Sequence, residues 1–174
     1  KPFLEKAKNK IIGQNIKFDR NILARYGIKI DSIKSDTMMM SYVLDASATR
    51  HNLDALSSYY LGYKTATFED VAGKGVKQVT FDKVPLDLAT NYAAEDADIT
   101  LQLFLALEPK LDSIEPLKKL MEEIEIPLIE VLSDMEQNGM LLNSKILAAQ
   151  SKDLESRIKK LEKLAYEIAG EEFN

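Results

Sequence analysis

The chain has 174 residues, 45% of them apolar, which is enough for one domain or a small domain with an appendage. Its 23 Lys and Arg against 28 Asp and Glu give a net charge of −5, not the basic footprint of a free-standing nucleic-acid binder; a nuclease whose carboxylates hold cations is a partial exception. The absence of cysteine excludes disulfides and thiolate metal sites and fits a reducing cytoplasm, and no apolar run is long enough to span a bilayer.

The opening Lys1-Pro2-Phe3-Leu4 does not read as a signal peptide and lacks an initiator Met, so an internal boundary is expected there. An amphipathic turn with Phe3, Leu4 and Ala7 runs into the apolar pair Ile11-Ile12, and Gly13-Gln14-Asn15 reads as the end of a strand. From Phe18 the spacing predicts a helix with Ile22, Leu23 and Tyr26 on one face and Gly27 past its end. A second extended piece, Ile28 to Ile33, precedes Asp36, which is placed to cap a helix carrying Met38, Met39, Tyr42 and Val43. Asn52 is the expected cap of the next helix, with Leu53, Leu56 and Tyr60 inward and Gly62 beyond it.

Residues 63–83 are loop-rich, with one helical turn at Phe68 to Ala72 and a break at Gly73-Lys74-Gly75. Pro85 suits the first turn of a long helix with Leu88, Tyr92, Ile99, Leu103 and Leu107 along one face. Pro109 and Pro116 bracket a junction, and a boundary between two units is expected near Asp112–Pro116. Beyond it, Leu117, Leu120, Ile124, Leu128, Val131 and Met135 step by threes and fours as in a packed helix, kinked at Pro127 and ended by Asn138-Gly139. Leu141-Leu142 reads as extended, and Asn143 or Ser144 caps a last helix with Leu147, Leu154, Ile158, Leu161 and Ile168. These last apolar stripes are expected to form intramolecular core rather than a coiled coil or a partner site.

Two local patterns carry chemistry. In Gly13-Gln14-Asn15-Ile16-Lys17-Phe18-Asp19 a strand end turns into a helix that opens on an aspartate, at a sheet edge where α/β folds place their sites. In Tyr92-Ala93-Ala94-Glu95-Asp96, Tyr92 and Asp96 lie one helical turn apart on one face. Each residue also has a plainer reading: Asp19 as a first-turn acid, Tyr92 as a core aromatic, Asp96 as a surface acid. Composition and spacing alone reach an α/β domain with a carboxylate metal site as one option. Gly73-Lys74-Gly75 is no phosphate-binding P-loop, because neither a helix start nor Ser or Thr follows the lysine.

The first pattern resembles the second motif of proofreading exonucleases, and Tyr92-x-x-x-Asp96 resembles their third motif in its tyrosine form. Ile11 to Leu23, Ser35 to Leu44, Arg50 to Leu56, Thr67 to Gly75 and Asn91 to Leu103 are similar, in order and spacing, to the bacterial family A DNA polymerases of the polymerase I type. Ile124 to Leu128, Glu136 to Gly139 and Glu167 to Asn174 resemble the region where that family's polymerase domain begins. The resemblance implies an RNase H-like (DnaQ-like) α/β 3′→5′ exonuclease fold, C-terminal portion, over residues 1–112. Residues 113–174 would be the N-terminal helices of the polymerase domain leading to the thumb.

It further implies two divalent ions, Mg²⁺ or Mn²⁺, held by four carboxylates. Asp19 matches the motif-two acid and Asp96 the motif-three acid, both metal ligands, and Tyr92 matches the tyrosine that orients the attacking water. Asn15, Arg50 and Phe68 match positions that contact the single-stranded 3′ end. Phe68 would stack on a base or, on the plainer reading, pin its loop; Arg50 would grip a phosphate or be a solvated loop charge. His51, the only histidine, is expected as a loop or cap residue. The family's first motif, Asp-x-Glu, is absent, because Glu5 is the sole acid among the eighteen residues before Asp19. Phe18 stands where the family often has tyrosine.

The metal site is thus expected to be incomplete and this piece alone inactive, with self-association through an uncovered sheet edge a further expectation. The parent would proofread and synthesise DNA on a primer-template in the bacterial cytoplasm, at the nucleoid and not at a membrane. The alternatives are a spacer domain with a decayed exonuclease and, third, a free-standing RNA exonuclease, which the helices after Pro116 disfavour.

Overall fold

The computed structural model describes residues 1–6, 10–30 and 32–173; Ala7 of the expected first turn, Asp31 of the expected second extended piece and Asn174 lie outside them. Residues 1–137 form one compact unit and residues 138–174 another.

In the first unit, strand β1 (Ile11–Gly13) leads into helix α1 (Ile16–Ala24), and strand β2 (Ile33–Asp36) runs parallel to β1 with Ile12 opposite Ser35 and Gly13 opposite Asp36. The helix begins two residues earlier than the periodicity of its apolar positions indicates. Gly13 makes this early start possible, because a Cβ there would meet the Ile16 side chain at 2.7 Å. Ile16 is the one buried residue of α1, whereas Tyr26, expected on the inward face, is exposed in the turn that follows the helix. Strand pairing starts at Ile33, not Ile28. The Ile28 N–H donates to the Leu23 carbonyl and ties that stretch to the end of α1, so it is unavailable to the sheet.

Asp36 caps helix α2 (Thr37–Leu44) by accepting from the Met38 and Met39 N–H groups. Asn52 caps helix α3 (Leu53–Leu56) through Ala55, and the chain widens into a π turn at Ser57–Leu61 before Gly62 ends it in a left-handed conformation. Helix α4 (Phe68–Ala72) opens with a reciprocal capping box between Thr67 and Asp70. Helix α5 (Leu86–Asp112) is the spine. It runs through Pro109 in its last turns and ends at Asp112, inside the stretch that Pro109 and Pro116 bracket. Its Ile99 and Leu103 pack on Leu56, and its Phe104, Leu107 and Leu111 pack on Met40 and Met121.

Helix α6 (Glu115–Leu120), a π turn (Met121–Glu125) and helix α7 (Ile126–Asn138) follow one another without a gap, so the expected helix is present with a wide turn just before Pro127. Pro127 has no N–H for the carbonyl of residue 123, and the wide turn forms where that bond is missing. The extra residue rotates the stripe: Met121, Ile129 and Ser133 are buried, while Ile124, Leu128, Val131 and Met135, expected inward, are exposed. Helix α7 meets α1 through polar groups. Arg20 reaches Glu130 and Asp134, Lys17 pairs with Glu136, and Asn21 bonds Ser133 and Glu136.

In the second unit, the Asn143 side chain caps helix α8 (Ser144–Ala169) and Gly170 ends it in a left-handed conformation. Leu141-Leu142 lies between helices without strand pairing. Leu147, Leu154, Ile158, Leu161 and Ile168 form the expected stripe, but all are exposed, correcting their expectation as intramolecular core. A single helix has no second apolar face to bury them against.

Candidate active site

A cavity of about 570 Å³ opens beside the C-terminal end of β1, large enough for a nucleotide-sized ligand. Ile12, Gly13 and Gln14 come from the strand end, Asp19 from the first turn of α1, Asn52 to Asp54 from the start of α3, and Tyr92, Asp96, Ala97 and Thr100 from α5. The two motifs, more than seventy residues apart in the chain, thus bring Asp19, Tyr92 and Asp96 to one concave surface.

The strand-to-helix turn is built by Asp36. This aspartate is 2% exposed and accepts from four backbone N–H groups: Asn15 at 3.1 Å, Ile16 at 2.7 Å, Met38 at 2.9 Å and Met39 at 3.4 Å. It holds the start of α1 while capping α2. Asn15, in the left-handed region at φ 57°, is the N-cap of α1, yet its side chain makes no capping bond, leaving the carboxamide for other contacts. Gln14 beside it is engaged, donating to the His51 carbonyl at 2.9 Å and accepting from the Thr37 hydroxyl.

The carboxylates resist ionisation. Burial raises the pKa of Asp36 most, and its backbone donors only partly offset that. Asp19 is raised by the protein around it and then by the nearby charge of Asp36, although part of its side chain remains exposed. Asp96 is raised by burial and by Asp54, against the lowering effect of the Tyr92 hydroxyl; Tyr92 is itself raised by burial and by the charge of Asp96. Asp19 and Asp96 line one concavity and burial makes both costly to ionise, which suits a hard divalent cation whose charge would relieve them. Among the described residues, however, no three acidic or histidine side chains come together as a metal-holding group.

Of the remaining expected residues, Phe68 stands at the start of α4, 40% exposed, with its ring 6.2 Å from that of Phe81, which lies 5.9 Å from Tyr92. Arg50 is exposed in the loop two residues before the cavity-lining Asn52 and is not itself in the lining. His51, at φ 59°, uses both ring nitrogens, at 3.0 Å from the Ser41 hydroxyl of α2 and 3.1 Å from the Ala46 carbonyl of its own loop. Sequence reasoning missed Asp54, Gln14 and Phe81 as neighbours of the site. Asp54 follows a recognised cap by two positions, but nothing in its local pattern shows that it faces Asp96.

Three comparisons now bear on this arrangement. A family model described as 3′-5′ exonuclease matches residues 1–112. The chain belongs to that 3′-5′ exonuclease family, and it has the C-terminal portion of the RNase H-like α/β fold followed by a helical segment. Over its whole length it is 47% identical to DNA polymerase I of Pseudomonas aeruginosa, and over 94% of its length 45% identical to DNA polymerase I of Rhizobium leguminosarum. It spans 19% and 16% of those two proteins. The POL domain of Pol1 from M. smegmatis, in complex with DNA primer-template and dNTP, shares the fold at a TM-score of 0.70 and 21% identity, over 98% of this chain and 26% of that one. No described helix is long and apolar enough to cross a membrane.

Proposed function

We propose that this chain is an internal segment of a DNA polymerase I-type enzyme, and that its cavity is part of the 3′→5′ exonuclease site. The observation that carries the reading is the convergence of Asp19, Tyr92 and Asp96 on one cavity at the strand end. In the reaction, water attacks the terminal phosphorus, the bond from phosphorus to the 3′ oxygen of the penultimate nucleotide breaks, and a nucleoside monophosphate leaves. Two divalent ions, Mg²⁺ or Mn²⁺, would supply water activation and charge stabilisation when bound. Asp19 and Asp96 would hold them together with carboxylates from outside this chain. The Tyr92 hydroxyl orients the water, the free Asn15 carboxamide and Arg50 bind the frayed strand, and Phe68 stacks on a base.

Residues 1–112 would be the exonuclease portion and residues 113–174 the entry to the polymerase domain, in a bacterial cytoplasmic enzyme acting on primer-template DNA. The segment alone is inactive on this reading. The full-length enzyme, its Asp19→Ala and Asp96→Ala variants and the 174-residue chain are each given a 3′-labelled single-stranded oligonucleotide with Mg²⁺. Trimming by the full-length enzyme only supports the reading. Equal trimming by the variants refutes the site, and no trimming by any sample leaves a spacer domain.

A further inference from the structure

Glu95 sits between Tyr92 and Asp96 in sequence, yet it faces a different neighbour. Its two carboxylate oxygens are both occupied: one accepts from the Tyr63 hydroxyl at 2.7 Å, the other from the Ala66 N–H at 2.8 Å. Between them, Thr65, which is 4% exposed, donates its hydroxyl to Asp54 at 2.8 Å. The segment from Gly62 to Thr67, which has no helix or strand of its own, is therefore held at Tyr63, Thr65 and Ala66 by acids of α3 and α5. Phe68 follows two residues after the last of these, on a turn fixed by the Thr67–Asp70 capping box. Glu95 is not in the cavity lining, and both its oxygens are turned toward the 63–66 segment, so the acid beside Asp96 has a different task.

We propose that Glu95 is a positioning residue that clasps the Phe68 segment to helix α5, fixing where the aromatic contact to the DNA strand stands relative to Tyr92 and Asp96. The proposal rests on the exonuclease reading above. It follows that Glu95 acts on substrate binding through Phe68 and leaves the chemical step alone.

The test is steady-state excision by the full-length enzyme on a single-stranded oligonucleotide, with polymerase activity of the same preparations as the check on folding. Glu95→Ala is expected to raise KM roughly tenfold, the scale of one lost base stack, with kcat within about twofold. Glu95→Gln keeps an accepting oxygen and should restore most of the binding. Tyr63→Phe removes one bond at an exposed ring, and should raise KM roughly threefold even if Glu95→Ala does not fold. The double variant Glu95→Ala/Phe68→Ala should bind no worse than Phe68→Ala, because both act through the same ring. A fall in kcat at unchanged KM, or effects of Glu95→Ala and Phe68→Ala that multiply, overturns the clasp. Asp96→Ala separates the two levels: if it still trims, the exonuclease reading fails and the clasp with it; if it is inactive while Glu95→Ala and Tyr63→Phe bind normally, only the clasp fails.

Discussion

Replacing Asp36 removes the element that builds the site. In Asp36→Ala the N–H groups of Asn15, Ile16, Met38 and Met39 lose their acceptor, the Ile16 donor in a buried place and the other three in partly buried ones. Loss of the α2 cap alone costs about 1 kcal/mol, and each buried donor left without a partner costs about 1–3 kcal/mol. Removing a carboxylate whose burial is unfavourable offsets part of this, so the expected net loss is about 3–4 kcal/mol. Asp36→Asn keeps one acceptor oxygen and should lose about 1–2 kcal/mol, chiefly the 2.7 Å bond from Ile16. The assay is equilibrium urea denaturation of the chain followed by far-UV circular dichroism at several protein concentrations, so that self-association is separated from folding. A loss below about 1 kcal/mol for the Ala variant, or equal losses for both, would refute the capping argument.

Other perturbations act on the same region. Folding raises the Asp96 pKa above its ordinary value of 3.8, so its stability contribution is complete below that pH and is lost as pH rises through the folded value. Asp96→Asn should therefore have a higher Tm than the parent at pH 7 in EDTA, with the gap closing toward pH 3.8. Phe81→Ala opens the space between Phe68 and Tyr92; with the ring 40% exposed, urea denaturation should show a loss of about 1–2 kcal/mol, and excision by the full-length enzyme should slow. Lys17→Ala breaks an ion pair whose Glu136 partner is half exposed, and urea denaturation should show a small loss of stability at low salt and none measurable in about 1 M NaCl.

The parts of the fold legible in the sequence were those fixed by local chemistry. Asp36 and Asn52 were recognisable as caps, and Asn143 as one of two candidates beside Ser144, because a short polar side chain before an apolar periodic run has one good use. The double duty of Asp36 was not, since its bonds to Asn15 and Ile16 cross twenty residues and depend on two parallel strands lying in register. The inward face of α6–α7 was misread because periodicity assumes 3.6 residues per turn throughout, and the π turn before Pro127 inserts a residue that moves the stripe. At the site, resemblance supplied Asp19, Tyr92 and Asp96. Asp54, Glu95 and Phe81 could not be sorted from other acids and aromatics until the loop from Gly62 to Thr67 was seen folded against α5.

The central claim is that Asp19 and Asp96 serve excision and not synthesis. Its most direct test is a single-turnover measurement on the full-length enzyme with a primer-template ending in a mispaired 3′ nucleotide, recording excision and correct-nucleotide addition on the same preparation. The account predicts that Asp19→Ala and Asp96→Ala each slow excision by roughly a hundredfold or more while addition to a matched end is unchanged. Excision at the parent rate in either variant, or an equal loss of both activities, would contradict it.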